Sequence, residues 1–241
     1  HIMRRRQRQM CIRDSLVVHS TTKFLSGQGN AMGGIVIDSG RFPWFGNAKY
    51  PSLSEPCPDY NGLTFAETFG DMAFTLYSHA VSLRDLGCTQ SPMNAWITLN
   101  GVETLPLRME RHVENAQKVA GFLQQHPSVE WVSYAGLSSS PYYQLAQKYL
   151  QGKAGSVFTF GIRGGYESGL RLLEKVELFS HVSNIGDSRS LILHPASTTH
   201  RQLSDEQRLI AGAGPEVIRL SVGIESAEDL IADLEQALEG L

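Results

Sequence analysis

The chain has 241 residues, of which 41% are hydrophobic and 19% are charged, and its formal net charge is −3. This composition is typical of a globular protein and gives no electrostatic reason to expect binding to nucleic acid or a membrane. No apolar run approaches the roughly 18 residues that a membrane-spanning helix requires. Three widely spaced cysteines, Cys11, Cys57 and Cys88, indicate free thiols in a reducing cytoplasm rather than disulfides or a zinc site.

The first segment, residues 1–15, has neither helical nor strand periodicity. Its opening His-Ile-Met is typical of a cloning remnant, so the segment is predicted to be a non-native or disordered leader. Its arginines leave a basic arm for nucleic acid as the alternative.

The N-terminal half combines two short strands with long helical stretches. The predicted elements are a strand at 16–19, a strand at 34–38, an ordered loop at 41–62, a helical stretch at 64–86 and a helical run at 91–125. Pro106 is expected to kink or break the last of these.

Strands and helices alternate in the C-terminal half. Strands are predicted at 129–134, 156–161 and 216–223, and helices at 142–150, 166–177 and 226–238. Ser226 is the expected N-cap of the last helix. Alternation on short connections predicts an α/β domain over 111–241, with a domain boundary near residue 110.

One lysine, Lys23, follows the first strand in the stretch STTKFLSGQGNAMGG and is succeeded by closely spaced glycines. The simplest interpretation is a solvated lysine beside hydroxyl groups that cap backbone atoms. A serine acyl-enzyme of the S-x-x-K type is disfavoured because the glycines would end its helix and its companion motifs are missing. A dinucleotide-binding loop is disfavoured because the glycines precede a strand instead of a helix.

A lysine that forms a Schiff base is the fourth interpretation of Lys23. Such a lysine must be held in place and poorly solvated, close to groups that bind an anion. Ser20 and Thr22 could bind a phosphate while Lys23 reaches an aldehyde, which are the two functions that pyridoxal 5′-phosphate (PLP) combines on one ring. The glycines would let the backbone approach closely.

Five separate stretches, in the same order, resemble the Cys/Met-metabolism family of PLP-dependent enzymes. They are VVHSTTKFLSGQGNAMGGIVIDSGRFPW, FAETFGDMAF, SPMNAWITLNGVETLPLRMERHVENA, HPASTTHRQLSDEQ and VIRLSVGIE. Within the family, the extended loop FPWFGNAKYPSLSEPCPDYNGLTF most resembles that of O-acetylhomoserine sulfhydrylases.

The resemblance implies a role for five residues. Lys23 matches the catalytic lysine that holds PLP as a Schiff base, and Ser20 and Thr22 match the hydroxyl residues that bind the PLP phosphate. Arg219 and Ser197 match contacts to the α-carboxylate of an amino-acid substrate, for which the planar fork of an arginine is well suited. No metal site is expected, because the spacing of His194 and His200 in a proline-containing loop is not that of metal ligands.

The reaction implied by the resemblance is γ-replacement on O-acetyl-L-homoserine by sulfide or a thiol, which gives homocysteine or methionine plus acetate. A methionine γ-lyase or a cystathionine γ-synthase is the alternative within the family. The resemblance also implies a homo-oligomer, dimeric or tetrameric, whose partners are small molecules rather than nucleic acid or membrane.

The implied fold is α/β: part of the large domain of fold type I PLP transferases at 16–110, at the lysine-loop end of its sheet, followed by the C-terminal domain. Family members carry a substantial stretch before the lysine strand, which holds other PLP contacts. Without it, Val17 and Ile35 are expected to have exposed apolar faces. A catalytically silent fragment is therefore the second alternative, and we expect little or no activity from this polypeptide alone.

Overall fold

The computed structural model describes residues 15–241, so nearly all of the predicted leader, and Cys11 with it, lies outside the described residues. The described residues form two compact units. The first comprises 15–21 and 32–96, and the second comprises 22–31 and 97–241. From Thr22 onward, the lysine segment therefore belongs to the same unit as the C-terminal part of the chain. The boundary predicted near residue 110 stays a prediction about domains.

In the first unit, a two-stranded antiparallel sheet is formed by β1 (Leu16–Ser20) and β2 (Gly34–Asp38), close to the predicted strands. Ile35 is 44% exposed, as predicted, whereas Val17 is half-buried, contrary to the prediction. Their neighbours Val18 and Val36 are more exposed than Ile35. Val18 and Val36 lie opposite each other on one face of the sheet and Ile35 lies on the other, so both faces expose apolar side chains to solvent.

Three short helices, α1 (Pro51–Ser54), α2 (Phe65–Phe69) and α3 (Ala73–Tyr77), pack around the aromatic side chains of the first unit. The predicted helical stretch at 64–86 is divided in the structure. Gly70 ends α2 with φ of +52°, a conformation that glycine adopts without steric cost.

The helix α4 (Pro92–Gln125) is continuous through Pro106, so of the predicted kink or break, the break does not occur. A proline removes one helix hydrogen bond, and packing of the helix beyond it offsets that loss. Beyond the proline, Val119, Ala120 and Leu123 are fully buried. The exposed side of this helix carries charges: Nζ of Lys118 lies 3.2 Å from Oε1 of Glu114 one turn earlier.

A five-stranded sheet forms the centre of the second unit. Its strands are β3 (Val129–Ser133), β4 (Val157–Ile162), β5 (Ser180–His181), β6 (Leu191–Leu193) and β7 (Val217–Ser221). The spatial order is β3-β4-β7-β6-β5, and every pair is antiparallel except β5 with β6. The short strands β5 and β6 were not predicted.

The remaining helices of the second unit are α5 (Tyr143–Leu150), α6 (Gly165–Lys175), α7 (Asp205–Ile210) and α8 (Ala227–Leu238). All but α7 were predicted, and Ser226 accepts the expected capping hydrogen bond from the backbone of Asp229. The side chains of α4, α6 and α8 form one core with the β7 residues Ile218 and Leu220. Because side chains alternate along a strand, Arg219 lies on the opposite face of the sheet.

A buried carboxylate, Asp233 of α8, organises the chain between α6 and β5. Its two oxygens accept hydrogen bonds from the backbone N–H groups of Glu177, Leu178 and Phe179, at 2.8, 2.9 and 3.0 Å. Removing the acceptor would leave these donors unpaired.

We expect Asp233→Ala to lower the free energy of unfolding by about 2–3 kcal/mol, because hydrogen bonds to a charged acceptor are lost. Chemical denaturation of the variant and the unsubstituted chain measures this difference. Glu235→Ala, an exposed position on the same helix, is the matched control and should change stability by less than about 0.5 kcal/mol. Equal stability of the two variants would contradict the structural role of Asp233.

Candidate active site

Lys23 lies in a tight turn, Thr21–Leu25, directly after β1. Its own backbone leaves the helical conformation, with φ of −89° and ψ of −131°, and its carbonyl accepts a hydrogen bond from Gly27 N–H at 2.8 Å. The side chain is half-buried, and Nζ donates a hydrogen bond to Oδ1 of Asn184. The ε-amino group is thus held at one place in the second unit instead of extending into solvent.

Asn184 connects this lysine to the predicted substrate-binding arginine. Its side-chain oxygen accepts from Lys23, and its backbone oxygen accepts from Nη2 of Arg219 at 3.3 Å. The sequence interpretation missed Asn184, which lies in the irregular stretch between β5 and β6. That stretch has no periodicity, and its only signal was its content of turn-forming residues.

Arg219 occupies the middle of β7, between Thr159 of β4 and Leu193 of β6. It is half-buried, and burial lowers the pKa of its guanidinium group. No carboxylate within residues 15–241 forms an ion pair with it, and its one side-chain hydrogen bond goes to Asn184. The remaining donors of the guanidinium are therefore available for an anionic ligand.

The stretch that carries Asn184 is fastened to its surroundings by backbone groups. Gly186 N–H donates to Oγ of Ser221 at 2.9 Å, and Ser188 N–H donates to the carbonyl of Gly27 at 2.7 Å. Asp187 beside them is nearly fully buried and pairs with Arg189 at 3.1 Å. Burial alone would raise the pKa of Asp187, but the hydrogen bonds and charge of Arg189 outweigh it and lower that pKa.

Close approach of the glycine-rich segment to Asn184 requires a residue without a side chain. A Cβ atom placed on Gly29 would lie 2.9 Å from Nδ2 of Asn184, and the φ of Gly29 is +62°. Both facts exclude an ordinary side chain at this position without a shift of its neighbours. Gly29 thus permits close approach of the backbone to Asn184, while the predicted approach of the glycines to a bound cofactor stays a prediction.

Ser197 is held by a buried histidine, His194. Nε2 of His194 lies 2.9 Å from the carbonyl oxygen of Pro215, and Nδ1 lies 3.0 Å from Oγ of Ser197. Burial lowers the pKa of His194, which favours the neutral ring, and the carbonyl of Pro215 requires a proton on Nε2. In that tautomer Nδ1 accepts a hydrogen bond from Ser197, whose Oγ also lies 3.3 Å from the carbonyl oxygen of His194. This serine therefore faces His194 and forms no hydrogen bond to Lys23 or Arg219.

The two predicted phosphate-binding hydroxyl residues belong to different units. Ser20 is exposed at the end of β1, opposite Gly34 in the first unit, whereas Thr22 is half-buried in the second unit. Between them, Thr21 is buried, and its hydroxyl group has no hydrogen-bond partner in the described part of the chain. The role of Ser20 and Thr22 in phosphate binding stays a prediction.

The donor set around Asn184 fits PLP chemistry at the aldehyde end of the cofactor. Lys23 offers a primary amine, which forms an imine with an aldehyde, and Arg219 offers a cation that has no carboxylate partner in the described chain. Within residues 15–241 there is no cluster of His, Cys, Asp and Glu side chains with the geometry of a metal site. The arrangement can therefore attach an aldehyde and orient an acid beside it.

The chain is similar to known enzymes over nearly all of its length. The chain is 50% identical to O-acetyl-L-homoserine sulfhydrylase 1 of Thermus thermophilus and 51% identical to O-acetyl-L-homoserine sulfhydrylase of Leptospira meyeri. These alignments cover 93% and 94% of this chain and 53% of each relative. The chain thus spans about half the length of the curated relatives it matches.

A crystal structure of a Campylobacter jejuni protein assigned as an O-acetylhomoserine (thiol)-lyase superposes with a TM-score of 0.88 at 42% identity. The superposition covers 94% of this chain and 54% of that protein, which carries N′-pyridoxyl-lysine-5′-monophosphate. A family model for Cys/Met metabolism PLP-dependent enzymes matches residues 10–239, starting inside the predicted leader. The chain therefore belongs to the Cys/Met metabolism PLP-dependent enzyme family.

Proposed function

We propose that this chain provides the lysine and the substrate-binding arginine of a PLP-dependent transferase that acts on O-acetyl-L-homoserine. Sulfide or a thiol would replace acetate at the γ-carbon, which gives homocysteine or methionine. The observation that carries the proposal is that Lys23 and Arg219 both bind Asn184. Because both groups bind the same residue, the amine and the half-buried guanidinium lie near each other. An amino-acid substrate of a PLP enzyme needs these two groups side by side, the amine for the cofactor and the guanidinium for its carboxylate.

Each residue has a distinct task in this proposal. Lys23 holds PLP covalently through Nζ and, once displaced by the substrate's amine, is free to take a proton from carbon and return it. Arg219 binds the α-carboxylate, and Ser20 and Thr22 bind the cofactor phosphate. PLP supplies an electron sink for the proton removal. Ser197 is retained as a second carboxylate contact, which requires its hydroxyl group to turn away from His194.

The remaining expectations concern the cellular location of the protein and its oligomeric state. Across residues 15–241, every helix is too short or too polar to cross a bilayer. We propose a cytoplasmic enzyme, since the substrates are small metabolites, and a homo-oligomer as expected from the resemblance. Size-exclusion chromatography with light scattering measures the oligomeric state directly.

Covalent capture of PLP by Lys23 is the first test. After incubation with PLP and reduction with borohydride, peptide mass spectrometry should locate one pyridoxyl group on Lys23, since only a held amine beside the cofactor is labelled efficiently. Lys23→Ala should abolish that label. Lys148→Ala, an exposed lysine of α5, is the matched control and should leave it intact. Label spread evenly over exposed lysines, or unchanged in Lys23→Ala, would refute the proposal.

Turnover separates the reactions that the family resemblance leaves open. We expect little turnover from this polypeptide alone, but any turnover should give homocysteine from O-acetyl-L-homoserine and sulfide, little cystathionine when cysteine is the nucleophile, and little thiol from methionine. Labelling of Lys23 without any of these products would identify a silent fragment that retains its lysine site.

Arg219 should determine the preference for a carboxylate. We expect Arg219→Gln to weaken binding of O-acetyl-L-homoserine by about 10- to 100-fold, because a charged hydrogen bond is lost, and to leave binding of the corresponding carboxamide nearly unchanged. Arg219→Lys keeps the charge but loses the planar fork, so an intermediate loss is expected. Calorimetric titration measures both ligands whether or not the chain turns over.

The matched control for Arg219 is Arg201→Gln, an exposed arginine in the loop before α7. It should bind both ligands as the unsubstituted chain does. An equal loss for acid and carboxamide in Arg219→Gln would show that Arg219 does not recognise the carboxylate.

A further inference from the structure

We propose that Arg108 of α4 is a positioning residue for Lys23: it binds the backbone just after the lysine and so keeps the ε-amino group at Asn184. This inference rests on the proposed role of Lys23 as the residue that carries PLP. It assigns a task to a charged side chain that the sequence analysis did not single out.

The guanidinium of Arg108 contacts carbonyl groups of the residues that follow Lys23. Nη1 donates to the carbonyl of Phe24 at 3.0 Å, and Nη2 lies 3.5 Å from the carbonyl of Leu25. Nη2 also donates to Gly101 of its own helix at 2.6 Å, and Nε donates to Oγ1 of Thr104 at 3.2 Å. The two residues that follow Lys23 are thus tied to α4 by one side chain.

No carboxylate in the described part of the chain forms an ion pair with Arg108, and burial lowers the pKa of its guanidinium. A half-buried cation without a counter-ion is costly, since desolvation is not offset by a neighbouring charge. Here the offset comes from carbonyl dipoles of the lysine turn and of α4. These carbonyl groups face Arg108 only in the observed backbone conformation of the turn and of α4. We therefore assign Arg108 the task of holding the lysine turn in that conformation.

Two glycines allow the turn to approach the helix this closely. A Cβ on Gly27 would lie 2.3 Å from Nη1 of Arg108, and a Cβ on Gly101 would lie 2.4 Å from the carbonyl oxygen of Ser26. A side chain at Gly101 would force the turn away from α4, whereas one at Gly27 would displace the guanidinium of Arg108 from the turn. The contact between Arg108 and the turn therefore depends on a glycine in the lysine segment and on a glycine in α4.

The lysine turn is also anchored by the stretch that carries Asn184, since Gly27 accepts a hydrogen bond from Ser188 N–H. On the α4 side, the ring of Phe24 meets His112 edge-on, with ring centroids 5.4 Å apart. The backbone that follows Lys23 is therefore held by two sets of contacts, one from that stretch and one from α4. If Arg108 is removed, the carbonyls of Phe24 and Leu25 lose their donor and the peptide planes beside Lys23 are free to rotate. The amine would then leave Asn184.

Reactivity of the Lys23 amine tests the inference without PLP. The full chain is treated with formaldehyde and cyanoborohydride, and methylation of each lysine is followed by peptide mass spectrometry. In the unsubstituted chain, Lys23 should react more slowly than the exposed Lys148. In Arg108→Ala, methylation of Lys23 should be about fivefold faster or more, as expected for loss of one hydrogen bond, while Lys148 is unchanged.

Three further variants make the result decisive. Arg108→Lys, which keeps the charge but donates to fewer carbonyls, should give an intermediate rate and serves if the alanine variant does not fold. Arg111→Ala, exposed on the same helix, should leave Lys23 unchanged. Asp233→Ala destabilises the same unit at a distance, and it should also leave Lys23 unchanged.

The inference is overturned if Lys23 in both Arg108 variants reacts as in the unsubstituted chain, or if Asp233→Ala accelerates it equally. Borohydride trapping with PLP is measured on the same variants, and the yield on Lys23 should fall in the order unsubstituted, Arg108→Lys, Arg108→Ala. If PLP fails to label the unsubstituted chain, the proposed function fails, but the methylation rates still decide whether Arg108 positions the lysine.

Discussion

The hydrogen bonds that converge on Asn184 are the constraint on which the candidate site depends. Lys23 comes from a turn after β1, and Arg219 comes from the middle of β7, far away in the chain. Asn184 presents a side-chain oxygen to one and a backbone oxygen to the other. Because both acceptors belong to one residue, the distance between amine and guanidinium is fixed by the conformation of a single peptide stretch. Any shift of that stretch alters both groups together.

The rigidity of this stretch comes from hydrogen bonds rather than from apolar packing. Oγ of Ser221 accepts a hydrogen bond from Gly186 N–H, and the carbonyl of Gly27 accepts one from Ser188 N–H. The stretch is therefore attached to β7 at Gly186 and to the lysine turn at Ser188. Ser221 and Arg219 share the face of β7 that lies away from the helical core, where Arg219 has Thr159 and Leu193 as its neighbours on the adjoining strands. The helices stabilise one face of the sheet, which leaves the other face free to carry chemistry.

Periodicity predicted the parts of the fold in which one face is buried. The helix α8 has one buried face and β4 alternates over its first residues, and both were found near their predicted bounds. The strand β7 was also found near its predicted bounds, although only Arg219 in it is not buried. The strands β5 and β6 were missed because they are too short for a pattern, and β6 is buried on both faces. Pro106 was expected to break α4 because propensity alone cannot weigh tertiary packing against one lost hydrogen bond.

The site was predictable only where it lies on a recognisable motif. Lys23 and Arg219 follow from the resemblance, and the structure brings both to Asn184. Asn184 itself, like Arg108, contributes through backbone geometry that the sequence does not express. Most of their contacts join residues thirty-five or more positions apart or bind main-chain carbonyls, which any sequence possesses. Such residues become visible only when the chain is folded.

Ser197 illustrates how a hydroxyl residue can match a motif and still depend on its surroundings. His194 is fully buried, and its Nε2 is committed to the carbonyl of Pro215, so its Nδ1 is an acceptor and Ser197 is the donor. For Ser197 to donate to a substrate carboxylate, it must leave a buried acceptor unpaired, which is unfavourable. Arg219 has no comparable competitor among the described side chains, since its only partner is one carbonyl at 3.3 Å. In this arrangement the arginine, more than the serine, is the group prepared for an anion.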